Sequence, residues 1–136
     1  MKLPMSCDVE YLESFVSKAE STELFEWFYA NCDIQKLEEI LMADGTNHPV
    51  RPWKIMFVDQ ELEDYAIFSE VHGRNRMKWP PLIEVIRDRI EQLTGVEFSV
   101  CVCLYYPNGE EGIGFHSDPP AFGPTTPLPS ISVGEP

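Results

Sequence analysis

The chain has 136 residues, 43% of them hydrophobic and 12% aromatic, with 23 acidic residues against 10 basic ones for a net charge of -13. That length allows one domain with a real core, and the apolar content excludes a disordered chain. The acidic balance opposes broad binding to a phosphate backbone, which leaves a locally basic pocket as the route to nucleic acid.

The first six residues lack the apolar stretch of a signal peptide, and no run reaches the length that spans a membrane. Asp8 is placed to cap a helix running to about Lys18, with Val9, Leu12, Phe15 and Val16 on one face. Ser21 then opens a second helix, where Glu23 and Glu26 suit the positive end of the helix dipole. Leu24, Phe25, Trp27 and Phe28 predict that this helix is wedged against a sheet. Residues 37–42 extend the helical region as far as the turn Asp44-Gly45-Thr46-Asn47. Residues 50–58 read as an edge strand, because Pro52 cannot donate to a ladder. His48 and His72 fall in loops with no carboxylate at useful spacing and read as solvated.

Residues 70–78 carry Arg74, Arg76 and Lys78, the most basic cluster in the chain, either as a charged surface loop or as a lid over a substrate. Phe68 and Trp79 flank it and serve either to stack on a flat substrate or to fill the core. Residues 81–93 give the clearest helix, with proline in the first turn, apolar residues at helical spacing and Gly95 to end it. Its face of Glu84, Arg87, Asp88, Arg89 and Glu91 reads as solvated. Residues 96–106 are almost continuously apolar and predict a strand at the centre of a sheet. Cys101 and Cys103 lie at i and i+2 within it, not at Cys-x-x-Cys spacing, which favours reduced, buried thiols in a cytoplasmic protein over a metal or redox role. A last short strand is expected at 130–133 after a proline-rich loop.

The chemistry concentrates between these strands. Tyr105-Tyr106-Pro107-Asn108-Gly109 reads as a strand entering a turn, and Ile113-Gly114-Phe115-His116-Ser117-Asp118 as a second strand ending in His-x-Asp. On extended backbone, side chains at i and i+2 share a face, so the His116 imidazole and the Asp118 carboxylate converge. That is two thirds of a 2-His-1-carboxylate facial triad, the arrangement that holds non-haem Fe(II).

Tyr-Pro-x-Gly, Ile-Gly-Phe-His-Ser-Asp and Pro129-Ser130-Ile131-Ser132-Val133-Gly134 together resemble the AlkB-like family of Fe(II)- and 2-oxoglutarate-dependent dioxygenases. Trp79-Pro80-Pro81-Leu82, a helix and Gly95-Val96-Glu97-Phe98 fit the same family upstream. The resemblance implies an α+β fold, with helices packed on a jelly-roll (double-stranded β-helix) sheet. It implies that His116 and Asp118 are iron ligands and that Tyr106 contacts 2-oxoglutarate, although a core tyrosine is an alternative. It also implies a substrate side that includes Arg74, Arg76 and Trp79. The implied reaction is oxidation of a substrate C–H; on the N-methyl group of an alkylated nucleobase in DNA or RNA, or of another methylated substrate, the hydroxylated product sheds formaldehyde.

Two departures stand out. Leu104 occupies the position where the family carries an Asn, and loss of one hydrogen bond to a charged group costs about 1.5–3 kcal/mol, or roughly ten- to a hundredfold in co-substrate affinity. The sequence also stops at Pro136, ahead of the family's second iron-binding His and its two arginines. The expectation is therefore a single domain over 1–136 that lacks the C-terminal part of the barrel and is inactive alone. Two other readings remain: a non-catalytic remnant that serves as a binding module, and a different metalloenzyme, such as a hydrolase, using His116 and Asp118.

Overall fold

The computed structural model describes residues 1–2, 8–65, 75–114, 116–118, 120 and 123–134. Its first helix, α1 (Lys18–Asn31), starts at Ser17 because two side chains satisfy the free N–H groups there. The Ser17 hydroxyl accepts from the Glu20 backbone at 3.2 Å, and the Glu20 carboxylate accepts from the Ser17 backbone at 2.9 Å, forming a capping box. One helix thus replaces the two expected, and Ser21 lies inside it, its N–H bonded to the Ser17 carbonyl. No helix begins at Asp8. The backbone there pairs instead with the first residues, through a Lys2–Glu10 bridge and a 2.7 Å bond from Tyr11 N–H to the Met1 carbonyl.

The extended helical region expected at 37–42 is also absent. Residues there form β1 (Glu39–Leu41), which pairs antiparallel with β2 (Asn47–Pro49). The turn between them is set by Asp44, whose carboxylate accepts from the Thr46 backbone and hydroxyl at 2.9 and 2.6 Å. Gly45 supplies the positive φ of +84° that the reversal needs. Leu37, Ile40 and Leu41 have helical spacing, but only Leu37 packs on the core, while β2 satisfies the backbone and Ile40 and Leu41 stay exposed.

The main sheet has the order β4-β3-β5. β3 (Trp53–Val58) runs antiparallel to β5 (Val100–Tyr105) and parallel to β4 (Arg76–Lys78). β3 is therefore the central strand of those described, not an edge. Pro52 lies one residue ahead of it, so its missing N–H falls outside the ladder. β5, expected at the centre, stands at the edge of the described sheet and exposes Val102 and Leu104. No regular strand forms at 111–114 or at 130–133.

Side-chain alternation along β3 builds two apolar layers. Trp53, Ile55 and Phe57 face the helices and join Leu24 of α1 with Ile83 and Ile86 of α3 (Pro81–Thr94). Met56 and Val58 face the other way, against Val100 and Leu62 of α2 (Gln60–Asp64). Trp27 and Phe28 meet the Phe57 ring at 6.0 and 5.9 Å between centroids, which is the helix-on-sheet packing the aromatic run predicts. α3 carries proline at its start and ends at Gly95 in the left-handed region, φ +70°, as expected.

The charged face of α3 is solvated in part, as expected for Glu84 and Asp88, but its arginines are engaged. Arg89 reaches α1, donating to the Glu20 carboxylate at 2.6 Å and to the Phe15 carbonyl at 3.2 Å. Arg87 lies over the Trp79 ring, 4.9 Å from its centroid, among Glu84, Asp88 and Glu91. Long basic side chains here cover apolar surface and clasp neighbouring elements. The described residues thus form a mixed α+β arrangement without a closed barrel among them, and no described helix is long and apolar enough to cross a membrane.

Truncating the fully buried Phe57 removes the side chain on which both α1 aromatics rest. Phe57→Ala should cost about 3–5 kcal/mol, read as a lower denaturant midpoint at unchanged slope, or as loss of the folded state. Glu20 has its carboxyl pKa lowered, first by the Ser17 backbone and hydroxyl, then by Arg89. A carboxylate depressed in the folded state contributes stability above its unfolded pKa and loses it as pH falls through the folded one. Glu20→Gln should therefore lower stability at neutral pH and flatten the acid limb of a stability-against-pH curve.

Candidate metal centre

β5 delivers the chain to a polar turn in which Asn108 accepts from the backbones of Glu110 and Glu111 at 2.9 and 3.2 Å. Glu111 then pairs with Arg51 at 2.6 Å, which ties this segment to the start of β3. Beyond it, His116 Nδ1 lies 2.7 Å from the Gly114 carbonyl. A carbonyl only accepts, so Nδ1 carries the proton, and in the neutral ring Nε2 keeps its lone pair. Nε2 faces Asp118 Oδ1 at 3.5 Å, with both side chains about half exposed.

This pair fits a metal ion. Two ligand bonds of about 2.1 Å set at 90–110° span about 3.0–3.4 Å, close to the separation observed. A ligating imidazole also usually donates its other N–H to a carbonyl or carboxylate, the part Gly114 plays here. The i, i+2 spacing predicts the convergence, but the Gly114 contact, not a regular strand, sets the ring. Among the described residues no group of three His, Cys, Asp or Glu side chains stands close enough to form a fuller cage.

Tyr105 and Tyr106 diverge as strand alternation requires. Tyr105 turns to the helices, where its hydroxyl meets that of Tyr29 at 2.8 Å, and this hydrogen bond pushes its pKa up. Tyr106 is exposed, as are Val102 and Leu104 at the preceding alternate positions. Leu104 and Tyr106, the two residues on which the resemblance to the family differs and agrees, thus fall at alternate positions and are both exposed.

Of the residues expected on a substrate side, Arg76 and Trp79 have well-defined structural partners. Arg76 lies in β4 rather than in a loop, 9% exposed, with its guanidinium bonded to the Glu63 carboxylate at 2.7 Å and to the Glu63 carbonyl at 2.8 Å. Trp79 donates from its indole to Asp59 at 2.8 Å beneath the Arg87 guanidinium. Arg74, Phe68 and His72 lie outside the described residues. His48 is in β2, 3.1 Å from the Thr46 hydroxyl. Two concavities of about 140 and 270 Å3 open around Trp53, and neither is lined by His116, Asp118 or Tyr106.

Asp59 and Glu63 are the anchors that the sequence does not advertise. Asp59 precedes α2 in the position of an N-cap, yet makes no cap bond with its side chain. It serves Trp79 instead and lies 3.7 Å from Arg87. An acidic residue before a short helix signals a cap, and only the tertiary fold reveals the other use.

The family model for the 2OG-Fe(II) oxygenase superfamily matches residues 8–136. The human alpha-ketoglutarate-dependent dioxygenase alkB homolog 3 is 33% identical over 68 residues, which cover 49% of this chain and 24% of that protein. A methylenetetrahydrofolate--tRNA-(uracil-5-)-methyltransferase TrmFO of Streptococcus agalactiae is 35% identical over 68 residues, 50% of this chain but 14% of that protein. The chain thus spans about a quarter or less of the length of these curated relatives. The family model extends over nearly the whole chain, His116 and Asp118 included.

The pair predicts a measurable metal site. Titration with cobalt(II) should develop d–d absorbance that His116→Ala or Asp118→Ala removes and His48→Ala leaves intact. Equal signals in all the proteins would detach the metal from this pair.

Proposed function

Because the chain belongs to the 2OG-Fe(II) oxygenase superfamily, whose members use Fe(II) as cofactor and 2-oxoglutarate as co-substrate, we propose that it is part of a dioxygenase that removes alkyl groups from nucleobases of DNA or RNA by oxidation. The observation that carries this reading is the His116 Nε2 lone pair facing the Asp118 carboxylate at 3.5 Å, with Nδ1 committed to Gly114. With co-substrate and O2, the iron supplies the oxidising power for hydroxylating a substrate C–H.

The chain's own residues would hold and orient. His116 gives a neutral nitrogen and Asp118 a negative oxygen, a donor set suited to Fe(II). The Tyr106 hydroxyl would donate to 2-oxoglutarate from just past the end of β5. Leu104, two residues earlier in β5, would pack against the co-substrate without a hydrogen bond. The substrate side would run along the segment from Arg74 to Trp79, with Arg76 and Trp79 bracing it through Glu63 and Asp59. On this reading residues 1–136 belong to one AlkB-like domain, and the described sheet is a portion of its jelly roll. A reducing, cytoplasmic setting suits the free thiols of Cys32, Cys101 and Cys103.

The similarity to an AlkB homologue supports the nucleobase substrate. The net charge of -13 restricts it, since most of such a surface repels phosphates and only a local basic segment offsets this.

Formaldehyde release from an N-methylated oligonucleotide, measured with the full-length protein, tests the reading. Release should depend on 2-oxoglutarate and vanish in His116→Ala. Leu104→Asn should lower the KM for 2-oxoglutarate by roughly tenfold, the value of one hydrogen bond to a charged group. Release undiminished by His116→Ala would overturn the iron assignment, and turnover of a methylated protein or small molecule instead would overturn the substrate.

A further inference from the structure

Cys101 and Cys103 present a second donor set, on the helix-facing side of β5. Their partners in register are Phe57 and Ile55, so both thiols stand on the layer formed by Trp53, Ile55 and Phe57. The two sulfurs are 3.7 Å apart and both are free thiols. Both residues are partly exposed, while their thiols are largely buried.

That arrangement suits chelation better than disulfide formation. Residues at i and i+2 of one strand are about 6.6–6.8 Å apart along the chain, whereas a disulfide requires its β-carbons about 3.5–4.5 Å apart. Six paired residues with β3 hold β5 extended, which keeps the β-carbons from closing. The sulfurs, by contrast, already stand where an ion needs them. Two metal–sulfur bonds of about 2.3 Å at a tetrahedral angle span about 3.8 Å. A third thiol, Cys32 at the end of α1, repels charge on Cys103, but no group of three metal-binding side chains forms among the described residues.

We propose that Cys101 and Cys103 form a two-thiol chelating site for thiophilic ions of pyramidal or tetrahedral geometry, with monosubstituted arsenic(III) as the species that needs only two protein ligands. The reaction with an arsenoxide involves no change of oxidation state. Two As–S bonds form, the arsenic–oxygen bond breaks, and the oxygen leaves as water with the two thiol protons. The two sulfurs share one hydrogen bond, so whichever thiol ionises first is held as thiolate by the other and attacks first. The neutral product suits the apolar layer around it better than a bare dithiolate would. The site is independent of the iron reading and holds whether or not His116 and Asp118 bind metal.

Phenylarsine oxide added to the native chain tests it, with intact mass and iodoacetamide peptide mapping as readouts. The expected result is one adduct, with water lost, and simultaneous loss of labelling at Cys101 and Cys103 while Cys32 still labels. A small dithiol in excess should restore labelling at both. Cys101→Ser and Cys103→Ser should each abolish the adduct, with circular dichroism confirming that the variants fold; if one does not, the mapping of the native chain decides. No adduct, an adduct that survives either substitution, protection at Cys32, or a Cys101–Cys103 disulfide formed in air would overturn the proposal.

Discussion

The structure depends on the burial of β3 on both faces. Phe57 and Val58 are fully buried, one turned to the helices and the other to the far layer. A six-residue strand with backbone partners on both edges and side chains packed on both faces leaves little freedom for its neighbours. β4 must lie parallel on one side, β5 antiparallel on the other, and α1 and α3 must cover the Phe57 face. The candidate metal pair inherits its position from this arrangement, because Arg51 at the foot of β3 grips Glu111, five residues before His116.

A second set of constraints is electrostatic and lies around the rim. Glu20–Arg89 joins α1 to α3, Glu63–Arg76 joins α2 to β4, and Asp59 draws together Trp79 and Arg87. Exposed ion pairs contribute little to stability, but the Arg76 side chain is largely buried and bonded twice to one residue, which fixes a corner in place. In a chain with 10 basic residues, three arginines are engaged in this way. Those three are thereby drawn to carboxylates of the fold itself, which reduces what they can offer a phosphate backbone.

Local signals in the sequence served well where one element decides its own state. Proline at the start, apolar residues at helical spacing and Gly95 at the end define α3 from sequence alone, and the aromatic run of α1 shows that it packs on a sheet. The signals failed where a tertiary partner decides. Asp8 and Ser17 are both competent caps, and Glu20, three residues after Ser17, selects the second. Pro52 suggests an edge until its place relative to the ladder is known. The hydrophobic run of 96–106 suggests a central strand, yet Val102 and Leu104 are exposed on the edge of the described sheet. His116 and Asp118 were legible as a pair because their spacing is short. Their setting was not, since Gly114 orients the imidazole without a strand.

The register of β3 with β5 also bears on how the chain folds. The paired residues are roughly forty to fifty positions apart, so the sheet closes only after a long loop has lost its freedom. Contacts of such sequence separation form slowly compared with the turns of α1 and α3, which are stabilised locally. The helices are thus available before the surface they cover, and β3 spends the search with its apolar residues uncovered. In that interval the hydrophobic segment Ile55-Met56-Phe57-Val58 is the part of the chain most exposed to pairing with another copy, and the acidic charge of the whole supplies mutual repulsion that holds copies apart.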